Sequence, residues 1–409
     1  MYNESNEVVL VSACRTAVGK FGGVFRDIPA NELSKITATE AIKRAGIEPG
    51  QVDEIVMGMA ALGGNGSLPP RIVAMQIGMD PRSGSTNVYQ NCASGMRAVD
   101  VAAMKLAMGH TEIALAVGTE SQSTTPYILT KTRWGSKMGD FKCLDGLLSD
   151  GLIDTVANVH MGVTAENIAE LYGITREECD ALALTSHRRA VRAIDEGRFN
   201  REIVPVELKT QKGIVQYVDD EHPLRDTNLE KMAKLSPVFK KGGVVTAANA
   251  SGMNDASASV ILMTKKKAKE LGVKPLMKLL SICTEGVPPE VMGLGPAVAI
   301  PKALKMANLK YNDVEYWEIN EAFAAQIIGC FRKFKDEQGI DMNFGTFEQD
   351  GNINNNGSGI GLGHPIGATG VRMITTLYYE LERLGKTVGG TAMCVGGGSA
   401  MASLWTRDI

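Results

Sequence analysis

Apolar positions along this chain fall into two kinds of run that alternate. Short stretches rich in valine, isoleucine and alanine read as buried strands, and longer stretches with apolar residues every three or four positions read as helices. Residues 7–13 predict a strand, 31–45 a helix closed by Gly46, 55–59 a strand, 94–108 an apolar helix stopped by Gly109, and 113–117 a buried strand. Strand–helix alternation of this kind is an α/β pattern. Between about 121 and 241 the pattern changes: charge rises, a helix is predicted over 176–196, and 127–146 is irregular. From about 275 the alternation resumes.

A faint repeat links the two α/β stretches. Ala41-Ile42-Lys43-Arg44-Ala45-Gly46-Ile47 with Val52-Asp53-Glu54-Ile55 resembles Ala303-Leu304-Lys305-Met306-Ala307-Asn308-Leu309 with Val314-Glu315-Tyr316-Trp317. The offset is 262 in both parts (303 − 41, 314 − 52). Short matches also arise by chance. A second signal favours duplication: each half ends in a strand entering a glycine turn, 114–118 and 391–398. Two similar halves with an insertion between them is the simplest architecture.

The chain has 409 residues, which suits two or three domains. Its net charge of −3 offers no basic field for a nucleic-acid backbone. The densest basic run, Lys265-Lys266-Lys267 with Lys269, reads as a solvated helix face, with a weak phosphate contact as the other reading. Seven cysteines are spread widely and no CxxC pair occurs, so neither a zinc site nor a disulfide framework is expected, and a reducing cytoplasm fits. The start, Met1-Tyr2-Asn3-Glu4, has no basic leader, and no apolar run reaches membrane-spanning length.

Four segments carry the chemistry. Cys92, in Asn91-Cys92-Ala93-Ser94-Gly95, precedes a helix, where unpaired N–H groups favour a thiolate and can hold an oxyanion. The plain alternative is a buried structural cysteine. His364 stands in Gly361-Leu362-Gly363-His364-Pro365-Ile366-Gly367, fixed between glycines ahead of a helix, a place for a base or oxyanion donor as much as for a structural histidine. No GxGxxG spacing occurs there, so a dinucleotide loop is not supported. Cys394, before Val395-Gly396-Gly397-Gly398, is either a small hydrophobe ending a core strand or a second reactive thiol. Asn320, in Asn320-Glu321-Ala322-Phe323-Ala324, would serve alone as a helix N-cap. Together they supply a nucleophile, a base and oxyanion donors at the turns where open α/β sheets collect ligands.

At these four segments the chain resembles the thiolase family. Cys92, the Asn320–Ala324 block, His364 with Gly363, Pro365, Gly367 and Gly370, and Cys394 to Gly398 match its motifs. Further matches, including His160-Met161-Gly162 and Ala247-Ala248-Asn249-Ala250-Ser251, run in order from about residue 8 to 402. The resemblance implies a duplicated five-layered αβαβα fold with an inserted loop domain. Residues 1–120 would form the N-terminal half, rejoined by about 242–274; 121–241 the loop domain for coenzyme A binding and tetramerisation; 275–409 the C-terminal half. It implies an acyltransferase joining two acetyl-CoA into acetoacetyl-CoA and coenzyme A, reversibly. Cys92 would carry the acyl group, His364 would activate it, and Cys394 would move the α-proton. The N–H groups of Cys92 and Gly396 would hold one oxyanion, and His364 with a water held by Asn320 the other. Coenzyme A, a substrate and not a resident cofactor, would meet His160, Met161, Phe239, Ala247 and Ser251, with Phe323 near the thioester and Arg225 near the nucleotide. No metal and no nucleic-acid or membrane partner is implied.

His160-Met161-Gly162 has the form of biosynthetic, short-chain members. Some blocks depart from the family. Its "GGMESMS" reads Gly118-Thr119-Glu120-Ser121-Gln122-Ser123, its glycine-asparagine-proline-alanine-arginine loop becomes Gly64-Asn65-Gly66-Ser67-Leu68-Pro69-Pro70-Arg71, and an insertion at about 335–350 precedes Asn356. These changes leave open a 3-oxoacyl-CoA thiolase for a longer or unusual acyl group. A ketoacyl synthase is disfavoured by Cys394 and the Asn320 block, a non-catalytic acyl-CoA or lipid-binding relative by the presence of Cys92 and His364. A homotetramer built as a dimer of dimers is implied, with 127–140 around Trp134 as the tetramer loop; an ordinary surface loop is the alternative.

Overall fold

The structure, a computed structural model, describes residues 6–135, 137–210 and 213–409. Met1 to Glu4, read above as lacking a leader, and Ser136 in the 127–140 loop lie outside these.

The strands Val8–Arg15, Ile113–Ser121 and Asn254–Thr264 are buried at every position. Strands covered by helices on both faces must be apolar throughout, which explains their uninterrupted sequence runs. In the first half the order is Gly84–Val88, Glu54–Gly58, Ile113–Ser121, Asn254–Thr264, Val8–Arg15. The first three are parallel and the next two antiparallel. The second half repeats this order: Tyr316–Ile319 and Val388–Val395 are parallel, then Ser399–Thr406 and Met277–Gly286 are antiparallel. Ile353 alone, bridged parallel to Trp317, takes the place of the fifth strand. The halves meet where the equivalent strands Val8–Arg15 and Met277–Gly286 pair through Val9–Lys278 and Leu10–Met277.

The repeat is visible in detail. Helix Ala30–Ala45 ends on Gly46 in the left-handed region, and helix Gly295–Ala307 ends on Asn308 in the same conformation. A single helical turn follows each, Pro49–Gln51 and Tyr311–Asp313, then the strands Glu54–Gly58 and Tyr316–Ile319. Glycine and asparagine tolerate positive φ best, so the chain ends both helices at the same register.

Five layers result. Ala30–Ala45 covers the outer face of the first half through Ala38 and Ile42 against Ile55 and Ile261. Gly295–Ala307 covers the outer face of the second through Ile300 against Leu404. Between the halves lie Ser94–Ala107 and Thr369–Arg383, whose Val99, Leu106, Ile374 and Leu377 pack with Val260 and Met393. These two central helices approach closely at their N-termini. A Cβ on Gly370 would stand 2.3 Å from the Met96 nitrogen, and one on Gly95 would stand 2.6 Å from the Gly367 carbonyl oxygen. That approach brings the turns bearing Cys92 and His364 together.

Three expectations are corrected. The strand Ile113–Ser121 does not turn at Gly118; it continues, and Gly118 is needed because the Gly367 oxygen would lie 2.8 Å from a Cβ there. The irregular 127–146 stretch contains a short ribbon, Tyr127–Leu129 paired with Cys143–Asp145. Asn320 is no helix cap, since its helix is Ala324–Gln338, capped at Phe323. The lysine run opens the helix Lys265–Leu271, with Lys265 beside Glu7, Lys266 beside Glu270 and Lys267 beside Glu112.

The inserted region carries helices Met161–Tyr172 and Arg176–Asp195, the latter opened by a Thr175–Glu178 capping box. Arg15 ties the first strand to this region. Its guanidinium, fully buried, meets Glu202 at 2.6 Å and Asp220 at 2.7 Å. Arg15→Ala is expected to cost about 3–5 kcal/mol, because two carboxylates would stay buried without their cation. Urea unfolding monitored by tryptophan fluorescence measures this; a loss below about 1 kcal/mol would contradict the reading.

Candidate active site

Each chemistry-bearing residue sits on or beside a turn whose shape follows from local sequence. Asn91 adopts φ +42°, in the left-handed region, and opens the single turn Asn91–Ala93 before helix Ser94–Ala107. The Ser94 hydroxyl donates to the Asn91 oxygen at 2.8 Å and accepts from Gln90 N–H at 2.9 Å, closing the turn on itself. Asn91 Nδ2 donates to the Gly396 oxygen at 3.1 Å, which ties the Cys92 turn to the glycine turn of the other half. Gly397 and Gly398 there have φ near +88° and +86°, and a Cβ on Gly396 would overlap Met161. The glycines are therefore demanded by backbone shape and by packing.

The N–H groups of Gly396 and of Cys92 itself both point at the Cys92 sulfur. Sequence position suggested a thiolate, but burial outweighs these donors. The Cys92 thiol is pushed up to about 11 by desolvation, offset only partly by the Gly396 and Cys92 N–H groups. Cys394, at the end of Val388–Val395, is fully buried, and its thiol is pushed well above the ordinary value by burial and then by the neighbouring Cys92.

His364 is held on three sides. Its N–H donates to Asn254 Oδ1 at 2.9 Å, and Nδ1 lies 2.6 Å from the Thr369 hydroxyl. That hydroxyl donates to the Pro365 oxygen at 2.9 Å, so it accepts from His364 Nδ1–H. The network thus leaves the lone pair on Nε2, which faces Asn320 Nδ2 at 3.4 Å. Burial, with Arg372 nearby, lowers the His364 pKa to about 3, so the imidazole is neutral. A neutral base beside a neutral thiol is ready to take its proton as the sulfur attacks. Asn320 is fully buried; its backbone N–H bonds the Ala392 oxygen at 2.9 Å, while its Oδ1 has no protein partner.

These values predict that alkylation of Cys92 by iodoacetamide rises steadily from pH 7 to beyond pH 10. Titration of a sulfur near pKa 11 gives about tenfold per pH unit in that range. A plateau near neutral pH would mean a resting thiolate–imidazolium pair instead.

Cys92 and His364 open into a cavity of about 320 Å³. Its walls include His160, Met161, Phe239, Ala247, Ser251 and Phe323, all singled out from the sequence. His160 caps helix Met161–Tyr172, with Nδ1 accepting from Gly162 N–H at 3.1 Å, and its ring stacks on Phe239 at 4.5 Å. Phe239 meets Phe323 edge-on. Ser251 N–H bonds the Ala322 oxygen at 2.9 Å, pinning the inserted region's return to the Asn320 block. Arg225 is not brought here: it is exposed and paired with Asp195 at 2.8 Å. Asn320, Cys394 and Gly396 lie behind the cavity wall.

Sequence reasoning missed Thr369, Met292, Ile366 and Gln122, and gave Asn254 no role. Ile366 stands within the quoted His364 segment, and Thr369 two residues beyond it. Asn254 lies 110 residues from His364, so no local pattern linked them. Among the described residues no group of histidine, cysteine and carboxylate side chains is placed to hold a metal, and all seven cysteines are free. No described helix is long and apolar enough to cross a membrane.

Comparison with known proteins agrees with this geometry. The thiolase N-terminal domain model matches residues 8–266 and the thiolase C-terminal domain model residues 273–407. An acetyl-CoA acetyltransferase of Syntrophomonas wolfei is 45% identical over 402 residues, covering 97% of this chain and 98% of that protein. A solved acetyl-CoA acetyltransferase structure from Syntrophomonas wolfei matches with TM-score 0.96 and 60% identity, covering 98% of this chain and 100% of the other. Human mitochondrial 3-ketoacyl-CoA thiolase in complex with CoA matches with TM-score 0.91 and 34% identity, covering 98% of each chain. With duplicated halves and family models spanning nearly its whole length, this chain belongs to the thiolase family.

Proposed function

We propose that this protein is an acetyl-CoA C-acetyltransferase, which condenses two acetyl-CoA into acetoacetyl-CoA and coenzyme A and runs the reverse thiolysis. The observation that carries the reading is the convergence of Cys92, the Gly396 N–H and neutral His364 at the end of one largely apolar cavity.

In the first step the Cys92 sulfur attacks the acetyl carbonyl while His364 Nε2 takes the thiol proton. The new S–C bond replaces the bond to coenzyme A, which leaves as a thiol with the proton of Cys394; Cys394 becomes the thiolate and His364 keeps the proton from Cys92 on Nε2. The N–H groups of Cys92 and Gly396 hold the developing oxyanion. In the second step Cys394, as thiolate, removes an α-proton from the next acetyl-CoA. The resulting enolate is held by His364 with a water on Asn320, and its carbon attacks the Cys92 thioester. A carbon–carbon bond forms, and the Cys92 sulfur is released and takes back its proton from His364. Burial of both thiols and the imidazole keeps water from hydrolysing the thioester.

Coenzyme A is assigned to the cavity between His160, Met161, Phe239, Ala247, Ser251 and Phe323, with Arg225, on the surface, meeting the nucleotide. Residues 121–241 are assigned as the loop domain between an N-terminal half, 1–120 rejoined at 242–274, and a C-terminal half, 275–409. The ribbon around Trp134, which is 92% exposed, and Met138, 95% exposed, is assigned to subunit contacts in a tetramer. Free cysteines throughout support a reducing cytoplasm.

A thiolysis assay tests the reading: purified protein with coenzyme A and acetoacetyl-CoA, followed by mass spectrometry of the Cys92 peptide. Rapid release of acetyl-CoA with an acetyl group on Cys92 is expected. Acylation only by bulkier 3-oxoacyl-CoAs would move the enzyme to a different substrate.

A further inference from the structure

The family's Glu-Ser-Met-Ser run reads Glu120-Ser121-Gln122-Ser123 here, so a glutamine stands where a thioether is usual. Gln122 is 2% exposed and lines the catalytic cavity beside Cys92, His364 and Ile366. It also closes a recess of only about 10 Å³, walled further by Glu120, Leu147 and Asp150. That recess is barely the size of one water, so the cavity has no room for further chain past Gln122 on that side.

The orientation of the amide is fixed. Gln122 Oε1 accepts from the backbone N–H of Asn254, which can only donate. The amide nitrogen must therefore point the other way. Nε2 makes no hydrogen bond to protein among the described residues, yet it is not sealed in the interior. A buried donor without a partner costs free energy wherever an apolar group meets it.

We propose that Gln122 selects acyl groups bearing a neutral oxygen, a hydroxyl or carbonyl, toward the end remote from coenzyme A, with Nε2 donating to that oxygen. This rests on the acyltransferase reading above and extends it to acyl groups longer than acetyl. A carboxylate in the same place is disfavoured, because it would face Glu120 and Asp150 across the recess. An all-carbon chain leaves the donor unsatisfied.

The test is the rate of acyl transfer to Cys92 from butyryl-CoA, 3-hydroxybutyryl-CoA and succinyl-CoA, in the natural protein and in Gln122→Glu and Gln122→Met. Gln122→Glu keeps an acceptor for Asn254 N–H while replacing the amide donor with a carboxylate, and Gln122→Met removes the donor without adding charge. Gln122→Met restores the family's side chain. In the natural protein the hydroxyl substrate is expected to exceed butyryl-CoA in kcat/KM by about tenfold, one neutral hydrogen bond. Both substitutions are expected to bring that ratio to about one, with succinyl-CoA slowest in Gln122→Glu. A general loss of folding would lower both rates together and leave the ratio intact. If acetoacetyl-CoA is turned over but the ratio is equal in all three proteins, the Gln122 assignment is overturned alone. If the natural protein neither turns over acetoacetyl-CoA nor acylates Cys92, the acyltransferase reading falls and this assignment with it.

Discussion

Replacing Cys92 by serine is expected to lower thiolysis of acetoacetyl-CoA by on the order of 10⁴-fold or more, with no acyl group recovered on residue 92. The argument is one of nucleophile strength and geometry. Serine fits the turn, since Ser94 two residues on already shows that a hydroxyl is tolerated there, and the side chain is only half-buried. The Gly396 N–H and the His364 lone pair would remain in place. A hydroxyl is far harder to deprotonate than a thiol, and a neutral His364 with its pKa near 3 is too weak a base to compensate. Coenzyme A binding should persist, because His160, Phe239 and Ser251 are untouched. Isothermal titration with coenzyme A beside the kinetic assay separates the two effects. Turnover near the natural rate in this variant would remove Cys92 from the mechanism.

Cys394→Ala is expected to divide the reaction. Exchange of an acetyl group between coenzyme A and Cys92 should continue at a reduced rate. Condensation should fall by about 10²–10⁴-fold, the range for loss of a positioned general base. The physical reason is that Cys394 lies behind the wall that Cys92 lines, close enough for a charge on Cys92 to raise its own pKa. The proposed mechanism has it take a proton from a second substrate, not attack the first. Its burial also bears on the step: a thiolate there is costly, so it forms only as the departing coenzyme A takes its proton, once Cys92 carries the acyl group. Isotope exchange into acetyl-CoA and formation of acetoacetyl-CoA measure the half-reactions separately. Equal loss in both would refute the division of labour.

The two stretches that carried the repeat show how far local pattern reaches. Gly46 and Asn308 end helices because few residues adopt positive φ at low cost, and the strands that follow are apolar because both their faces are covered. Such features act within a dozen residues and can be read directly. The 127–146 stretch could not be read this way. Its ribbon pairs Tyr127–Leu129 with Cys143–Asp145 while exposing aromatic side chains, so no in–out alternation marks it. Gly118 misled for a related reason. A glycine in a strand signals either a turn or a close neighbour, and the neighbour, Gly367, is far away in the chain.

Ionisation was the least legible property. A helix N-terminus argued for a Cys92 thiolate, and the N–H groups do favour one, yet the protein around the sulfur removes more water than they replace. Desolvation depends on everything packed nearby, so it follows from the assembled halves and not from a motif. The same holds for Arg189, a residue of an inserted helix. It is buried and donates to the Phe344 oxygen at 2.6 Å and the Ile353 oxygen at 3.1 Å, holding the segment before Asn356 in place.

The sequence alone therefore determined the element types, the duplicated order of the halves, and the candidates for the chemistry: Cys92, Asn320, His364 and Cys394 each sit in or beside a turn whose glycines, proline or asparagine dictate its local shape. Only the tertiary structure decided which of these face one another, their protonation, and the walls of the cavity. Gly95 and Gly370 let two helices from different halves touch, Asn254 reaches across 110 residues to hold His364, and Gln122 joins Cys92 and His364 in the cavity wall. Those outcomes are set by distance and dielectric between segments remote in sequence, which no local pattern encodes.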